Sequence, residues 1–172
     1  MANKTGKPMP IEILLLAFAG LTVAAALSDA VRFIIPNWLC GVIALLFPIA
    51  ALVAGFDWPL VGMHFLGGFL ALLIGFALFA PGWIGGGDAK LFAAAALWFG
   101  WADMFAFLFH TALAGGLLVL LLLALRRGVP MSGLPAGRFA KTALAEGAPV
   151  PYGIAIAAGV FWTLPGSALF AG

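Results

Sequence analysis

Long runs of apolar residues, broken only by short polar stretches, constrain this chain more than any other feature. Of its 172 residues, 65% are hydrophobic and only 8% are charged. This balance would precipitate a water-soluble domain, but it suits a chain surrounded by lipid. Because a helix that crosses a bilayer needs about 20 mainly apolar residues, the runs predict an all-α, polytopic membrane protein.

The apolar runs predict about six transmembrane helices within a single transmembrane domain, residues 1–172. The fourth run is short, since a helix from Asp88 to Trp101 extends only about 21 Å at 1.5 Å per residue. It therefore crosses a thinned bilayer or starts in a protein-lined, wet cleft. Tryptophans near the ends of the runs are interpreted as interfacial anchors: Trp38, Trp58, Trp83, Trp98 and Trp101. The runs are Ile11–Leu27, Trp38–Phe56, Leu60–Ala80, Asp88–Phe99, Met104–Leu125 and Pro151–Phe170.

The distribution of basic residues predicts how the chain is oriented in the membrane. Cytoplasmic loops carry an excess of Lys and Arg. If the first helix runs from outside to inside, only Lys4 and Lys7 lie outside, and both termini are periplasmic. Asp29 and Asp88 then lie on the same, cytoplasmic side. The basic residues on that side are Arg32, Lys90, Arg126, Arg127, Arg138 and Lys141.

Several other classes of site are disfavoured. The net charge is only +2, without a basic stripe, which argues against nucleic acid as a partner. Cys40 is the only cysteine, so an internal disulfide and a Cys-rich zinc site are excluded. His64 and His110 have no acidic or cysteine partner at ligand spacing, and hydrogen bonds between helices are favoured over a metal site. We predict no metal and no cofactor.

Two of the six acidic residues differ from the rest in their placement. Asp29 and Asp88 each lie at the cytoplasmic end of an apolar run, where an unpaired charge is costly and usually functional. From position alone, helix capping at the interface is an equally good interpretation. The other four acidic residues lie at a helix start or in loops and are interpreted as solvated: Glu12, Asp57, Asp103 and Glu146.

The sequence around Asp88 favours a functional pair. Three glycines, Gly85, Gly86 and Gly87, precede Asp88, so a substrate backbone can lie against this loop, although Asp is also a common N-cap. A helix dipole favours a negative charge on Asp88 at a helix start and disfavours one on Asp29 after a helix end. Such a pair is expected to share one proton, as aspartic proteases require. We assign Asp88 as the base and Asp29 as the acid.

Three motifs carry a family resemblance. The stretch Gly85–Asp88 fits the GxGD signature of membrane aspartic proteases, and its continuation Ala89–Leu91 is similar to the GxGDxKL form. The stretch Asp29–Trp38 has an aspartate, a basic residue and then Ile-Pro-Asn, and Val150–Gly159 opens with Pro-Tyr-Gly. Together, in this order, the motifs resemble the type IV prepilin peptidase family. The single cysteine and early first helix resemble the short, Flp (tight adherence) type that lacks the N-methyltransferase region.

The resemblance implies an aspartic endopeptidase of the bacterial inner membrane. Such an enzyme removes the short leader from prepilins and pseudopilins at the cytoplasmic face, and its partners are these substrates and the lipid bilayer. The implied catalytic residues are Asp29 and Asp88. Lys90 is interpreted mainly as snorkelling to headgroups, with electrostatic tuning of the pair as the alternative. The implied supporting residues are Gly85, Gly86, Gly87, Lys90, Pro36 and Asn37.

A different class of function is also compatible with the pair of carboxylates. A small transporter or a pilus-assembly component would use Asp29 and Asp88 to relay protons or bind a cation. One test distinguishes the two hypotheses. A peptidase removes the leader of a prepilin, and its Asp→Asn variants do not. The sequence leaves the oligomeric state and the particular pilin open.

Overall fold

The computed structural model describes residues 10–128, 143–145 and 147–167, and over these residues every regular element is helical. This confirms the predicted all-α fold. Lys4, Lys7, Arg138, Lys141 and Glu146 lie outside the described residues, and the orientation of the termini stays a prediction. The helices are α1 (Pro10–Arg32), α2 (Asn37–Val53), α3 (Trp58–Phe79), α4 (Gly86–Gly128) and α5 (Tyr152–Thr163), followed by a 3₁₀ turn at Leu164–Gly166.

Helix α4 consists of two arms, 86–99 and 101–128, joined by a reversal of the chain at Gly100. Gly100 has φ 59° and ψ −165°, a conformation that glycine adopts readily and other residues rarely do. In a straight helix, Phe92 and Phe107 would lie about 22 Å apart. Their ring centroids are only 5.1 Å apart, because the second arm folds back along the first. The six apolar runs therefore correspond to six helical segments.

The helices have the length and the surface of membrane-embedded elements. By length and composition, Pro10–Arg32 and Trp58–Phe79 can each span a membrane. The long apolar stretch Gly86–Arg127 is divided into the two arms of α4, and α2 and α5 are shorter apolar helices. Large apolar side chains also cover the outside, such as Leu52 at 74% and Trp58 at 83% exposed. A surface of this kind faces lipid, and the chain is a multi-pass membrane protein.

An aromatic cluster around Trp98 holds α1, α2 and the first arm of α4 together. Trp98 is 1% exposed, and its ring stacks on Phe18 with a centroid distance of 4.4 Å. Its Nε1–H donates to the carbonyl oxygen of Ile43 at 3.0 Å. The prediction that Trp98 is an interfacial anchor is therefore wrong, because a ring that ends one apolar run can still point into the helix bundle. The other four tryptophans of that group are exposed: Trp38, Trp58, Trp83 and Trp101.

The two histidines form hydrogen bonds between helices, as predicted. The Nδ1 atom of His64 on α3 lies 2.7 Å from the carbonyl oxygen of Leu97 on α4. The Nδ1 atom of His110 on α4 lies 2.9 Å from Oγ1 of Thr163 on α5. Each histidine thus fastens α4 to a neighbouring helix, in an interior where a polar group needs a partner.

Small residues let α3 approach the first arm of α4 closely. A Cβ added at Gly75 would lie 3.0 Å from the Cβ of Ala89, and one at Gly67 would lie 2.9 Å from the carbonyl carbon of Gly100. Close approach through small residues is typical of helix pairs in membranes. The contact at Ala89 fixes the start of α4, where Asp88 lies.

Candidate active site

Asp29 lies inside the last turn of α1. The first apolar run was expected to end at Leu27, which would place Asp29 after the helix, but α1 continues to Arg32. The correction follows from the cap, since the N–H of Phe33 donates to the carbonyl oxygen of Asp29 at 2.8 Å and Phe33 has φ 54°. This left-handed residue ends the helix in the manner of an αL cap. Asp29 is 5% exposed and still lies at the negative end of the helix dipole.

The segment after α1 turns the chain into α2 beside Asp29. The hydroxyl of Ser28 donates to the carbonyl oxygen of Ile34 at 2.8 Å, which holds the segment against the end of α1. Pro36 precedes the first residue of α2 in an extended conformation, with ψ 132°, and Asn37 begins the helix. Pro36 and Asn37, two of the supporting residues that the resemblance implies, lie at this turn.

Asp88 lies in the first turn of α4, which begins at Gly86. Its Oδ2 atom accepts a hydrogen bond from the N–H of Gly85 at 3.0 Å. An acidic side chain that reaches back in this way satisfies one of the free N–H groups at a helix start. Asp88 therefore does have the capping contact that a purely structural interpretation requires.

Capping does not account for the whole Asp88 carboxylate. Asp88 is only 7% exposed, and its Oδ1 atom is buried without a hydrogen-bond partner among the described residues. A buried carboxylate oxygen without a donor costs roughly 1–3 kcal/mol or more. An arrangement of that cost is typical of a functional site.

The three glycines before Asp88 pack against different neighbours. A Cβ added at Gly85 would lie 2.8 Å from the Oδ2 atom of Asp88, inside the capping contact itself. A Cβ added at Gly87 would lie 3.1 Å from the Cβ of Ile35, in the segment that follows α1. The absence of side chains thus serves internal packing and brings the Asp29 segment against the Asp88 loop.

Gly153 on α5 connects the two carboxylates. Its N–H donates to Oδ2 of Asp29 at 2.8 Å, and an added Cβ would lie 3.0 Å from the same oxygen. The Asp88 carboxylate interacts electrostatically with Asp29 and with the N–H of Gly153. Three helices therefore bring two buried carboxyl groups and one amide donor together.

A cavity of about 230 Å³ lies over this cluster, and we call it the polar cavity because both carboxylates and Asn37 lie in its wall beside apolar side chains. It contains both aspartates and four of the six predicted supporting residues, while Pro36 and Lys90 are not part of its wall. Phe33, with its left-handed backbone, also lines it. The cavity is lined by Asp29, Phe33, Ile34, Ile35, Asn37, Gly85, Gly86, Gly87 and Asp88.

Lys90 has a partner that neither sequence interpretation named. Its Nζ atom donates to the Oδ1 atom of Asn37 at 3.0 Å, and both side chains are exposed. The bond joins the first arm of α4 to the start of α2. Lys90 therefore holds Asn37, which lies in the wall of the cavity, from outside.

Sequence reasoning missed three residues around the site. Gly153 lies in a recognised motif, but nothing in the sequence showed that its amide faces Asp29. The left-handed conformation of Phe33 has no sequence signal at all. Arg126 was interpreted as a loop charge, yet it donates to the carbonyl oxygens of Ala143 and Ala148 at 2.7–3.0 Å. These bonds hold the segment that leads into α5.

Within the described part of the chain, the two carboxyl groups can hold a proton, but no cluster of metal ligands is present. Over residues 10–128, 143–145 and 147–167, no group of three His, Cys, Asp or Glu side chains is placed to hold a metal ion. Two neighbouring carboxyl groups in a poorly solvated setting do not readily carry two negative charges. What this arrangement can hold is one proton shared between two carboxylates, beside a cavity with room for water.

Comparison with known proteins gave a family match. A family model described as the type IV leader peptidase family matches residues 16–120, which is more than half of the chain. The matched region includes both aspartates and the three glycines, and it ends before α5 begins. No curated protein and no solved structure matches the chain.

Proposed function

The chain belongs to the type IV leader peptidase family, and from this premise we propose that it is an aspartic endopeptidase that removes the leader from prepilins and pseudopilins. The observation that carries the proposal is the meeting of Asp29 and Asp88, from α1 and α4, at one polar cavity. Family membership makes the chain a protease. The buried pair gives the chemistry by which it acts.

We assign the reaction to water attack on the peptide carbonyl. The ionised carboxylate takes a proton from water as the water attacks, and the protonated carboxyl donates to the carbonyl oxygen. The proton taken from water then passes to the leaving amine as the C–N bond breaks, a hydroxyl group of the tetrahedral intermediate returns a proton to the other carboxylate, and the pair again holds one shared proton. Asp88, in the first turn of α4, is the proposed base, and Asp29, in the last turn of α1, is the proposed acid.

The remaining parts of the proposal concern place and substrate. The basic side chains Arg32, Lys90, Arg126 and Arg127 support a cytoplasmic position for the cavity, in the bacterial inner membrane. The resemblance of its three motifs to those of the Flp-type peptidases supports Flp-type pilins as the substrates. Gly85, Gly86, Gly87, Pro36, Asn37 and Lys90 support the pair by positioning it.

The test is leader removal from a co-expressed Flp-type prepilin. Asp29→Asn and Asp88→Asn each keep the size of the side chain and remove the ability to exchange the shared proton. Each variant is expected to slow leader removal by at least about 10³-fold, the scale of losing a catalytic group that acts as part of a unit. The measurement is the ratio of mature to precursor pilin over time.

Asp57→Asn provides the matched control. Asp57 is exposed and caps α3 by accepting from the N–H of Leu60 at 3.0 Å, and Asn caps equally well. This variant is expected to cleave at the wild-type rate. Unchanged cleavage by Asp29→Asn or by Asp88→Asn, at equal protein levels, rejects the aspartic mechanism and returns the pair to a transport or assembly role.

A further inference from the structure

A second, apolar groove meets the polar cavity at Asp88. It measures about 590 Å³, within the roughly 300–1,000 Å³ range of ligand pockets, and α3, both arms of α4 and α5 line it. Asp88 lines both spaces, with polar surroundings on one side and apolar side chains on the other. The carboxylate thus lies where a polar site changes into an apolar one.

The groove has the length and the floor to accept one face of a helix. Along the second arm of α4 it runs from Leu108 to Leu120, about 18 Å at 1.5 Å per residue. Gly75 on α3 and Gly116 on α4 lie in its wall. A Cβ added at Gly116 would find no atom within 4 Å, so the space beside this glycine is open.

We propose that this groove binds the apolar transmembrane helix of the prepilin and thereby delivers the cleavage site to Asp88. This inference rests on the proposed function. Helix-in-groove recognition uses apolar side chains at positions i, i+3, i+4 and i+7, which lie along one stripe of about the observed length. The family resemblance implies a prepilin with a short, basic leader before an apolar helix, and these two parts of the substrate match the two spaces that meet at Asp88.

The shared carboxylate favours a helix over a lipid as the occupant. A lipid acyl chain would fill the apolar groove, but it would not continue into the polar cavity past a buried acidic side chain. A peptide that leaves the groove and unwinds at Asp88 places its own backbone in that cavity. Because helices in lipid associate through close packing of small residues, Gly75 and Gly116 in the wall let a second helix approach closely.

The first test fills the groove without disturbing the fold. Gly116→Leu adds a side chain into open space within the groove, and it is expected to lower kcat/KM for full-length prepilin about tenfold or more, mainly through KM, by removing apolar contact. Gly62→Leu is the matched control, since Gly62 lies within α3, is exposed and also has no atom within 4 Å of an added Cβ. That control is expected to stay within about twofold of the wild type.

The second test identifies the occupant by photo-crosslinking in the membrane. A photoreactive residue replaces Leu120 in the Asp88→Asn protein, co-expressed with prepilin, and the expected product is a crosslink to the prepilin helix. Leu121 is the control, because it is exposed to a similar degree, 56% against 65% for Leu120, and is not part of the groove. Crosslinks from position 120 only to lipid, to a second copy or within the chain overturn the proposal.

The outcomes separate this inference from the function on which it rests. Wild-type protein that removes no leader contradicts the proposed peptidase activity itself. Wild-type protein that cleaves, together with Gly116→Leu that cleaves at the wild-type rate, leaves the peptidase intact and rejects the groove as the binding site for the helix.

Discussion

Single backbone amides hold the two carboxylates of the site. The N–H of Gly85 binds Oδ2 of Asp88, and the N–H of Gly153 binds Oδ2 of Asp29. An amide donor can fix the direction of a carboxyl group without adding a side chain that fills the cavity. Glycine is therefore required at position 85 because of the capping contact with Asp88, and at position 153 because α5 lies close to Asp29.

Gly153→Ala tests the closeness of α5 to Asp29. The added methyl group would lie 3.0 Å from both the Cβ and the Oδ2 atoms of Asp29, so the carboxyl group must shift by a few tenths of an ångström. Small misplacements at a reacting centre are costly, and we expect kcat to fall by about tenfold while KM changes little. Kinetics on purified protein in detergent and a thermal melt provide the measurement.

Gly41→Ala is the matched control for this substitution. Gly41 lies in α2, and an added Cβ would meet no atom within 4 Å. Both variants are expected to melt close to the wild-type temperature. A Gly153→Ala protein that cleaves as fast as Gly41→Ala would show that the contact between Gly153 and Asp29 does not position the carboxyl group.

The identity of these residues was easier to predict from the sequence than their contacts. Asp29 and Asp88 stand out because acids are rare in an apolar chain, and the structure brings them to one cavity. The bond between Lys90 and Asn37 joins two helices that are far apart in the sequence. Local spacing carries no information about such a pair, since it depends on how α2 and α4 meet.

The sequence predicted the reversal at Gly100 correctly, but it placed the end of α1 too early. The reversal at Gly100 coincides with the expected break between the fourth and fifth apolar runs, where Gly100 and Asp103 interrupt the apolar sequence. The end of α1 was placed too early, since the sequence after Leu27 loses apolar character while the helix continues to Arg32. Hydropathy measures contact with lipid, whereas the helix ends where the left-handed Phe33 caps it.

Arg126 is expected to position α5 through the segment before it. Its guanidinium donates to the carbonyl oxygens of Ala143 and Ala148, and this segment leads to Gly153. Arg126→Met removes all of these donors, so we expect kcat to fall about tenfold with a smaller change in KM, because the amide of Gly153 loses its fixed place. Arg126→Lys is expected to recover part of the rate, since an ammonium group reaches one carbonyl but lacks the planar fork.

The neighbouring arginine gives a control for charge alone. Arg127 is exposed, and Arg127→Met removes the same charge from the same end of α4. It is expected to retain the wild-type kcat. Equal losses in Arg126→Met and Arg127→Met, measured with the same prepilin, would assign the effect to charge at the membrane surface and not to positioning.

The membrane setting changes what holds the whole molecule together. Lipid tails are as apolar as a protein interior, so association of the helices depends on packing and on hydrogen bonds between them. The composition predicted an all-α membrane protein because it reports the solvent around the chain. It did not predict which side chains turn inward, and Trp98 turned inward where the end of an apolar run suggested an anchor.

Trp98→Ala is therefore expected to destabilise the bundle far more than its place in the sequence suggests. The ring packs on Phe18 and donates to the carbonyl oxygen of Ile43, so its loss leaves a cavity between three helices and removes a buried hydrogen bond. A Trp→Ala change in a packed interior costs about 3–5 kcal/mol. Trp83→Ala, at a residue 69% exposed, is expected to cost under about 0.5 kcal/mol. Reversible unfolding in mixed micelles measures both, and similar losses for the two variants would mean that packing around Trp98 does not stabilise the bundle.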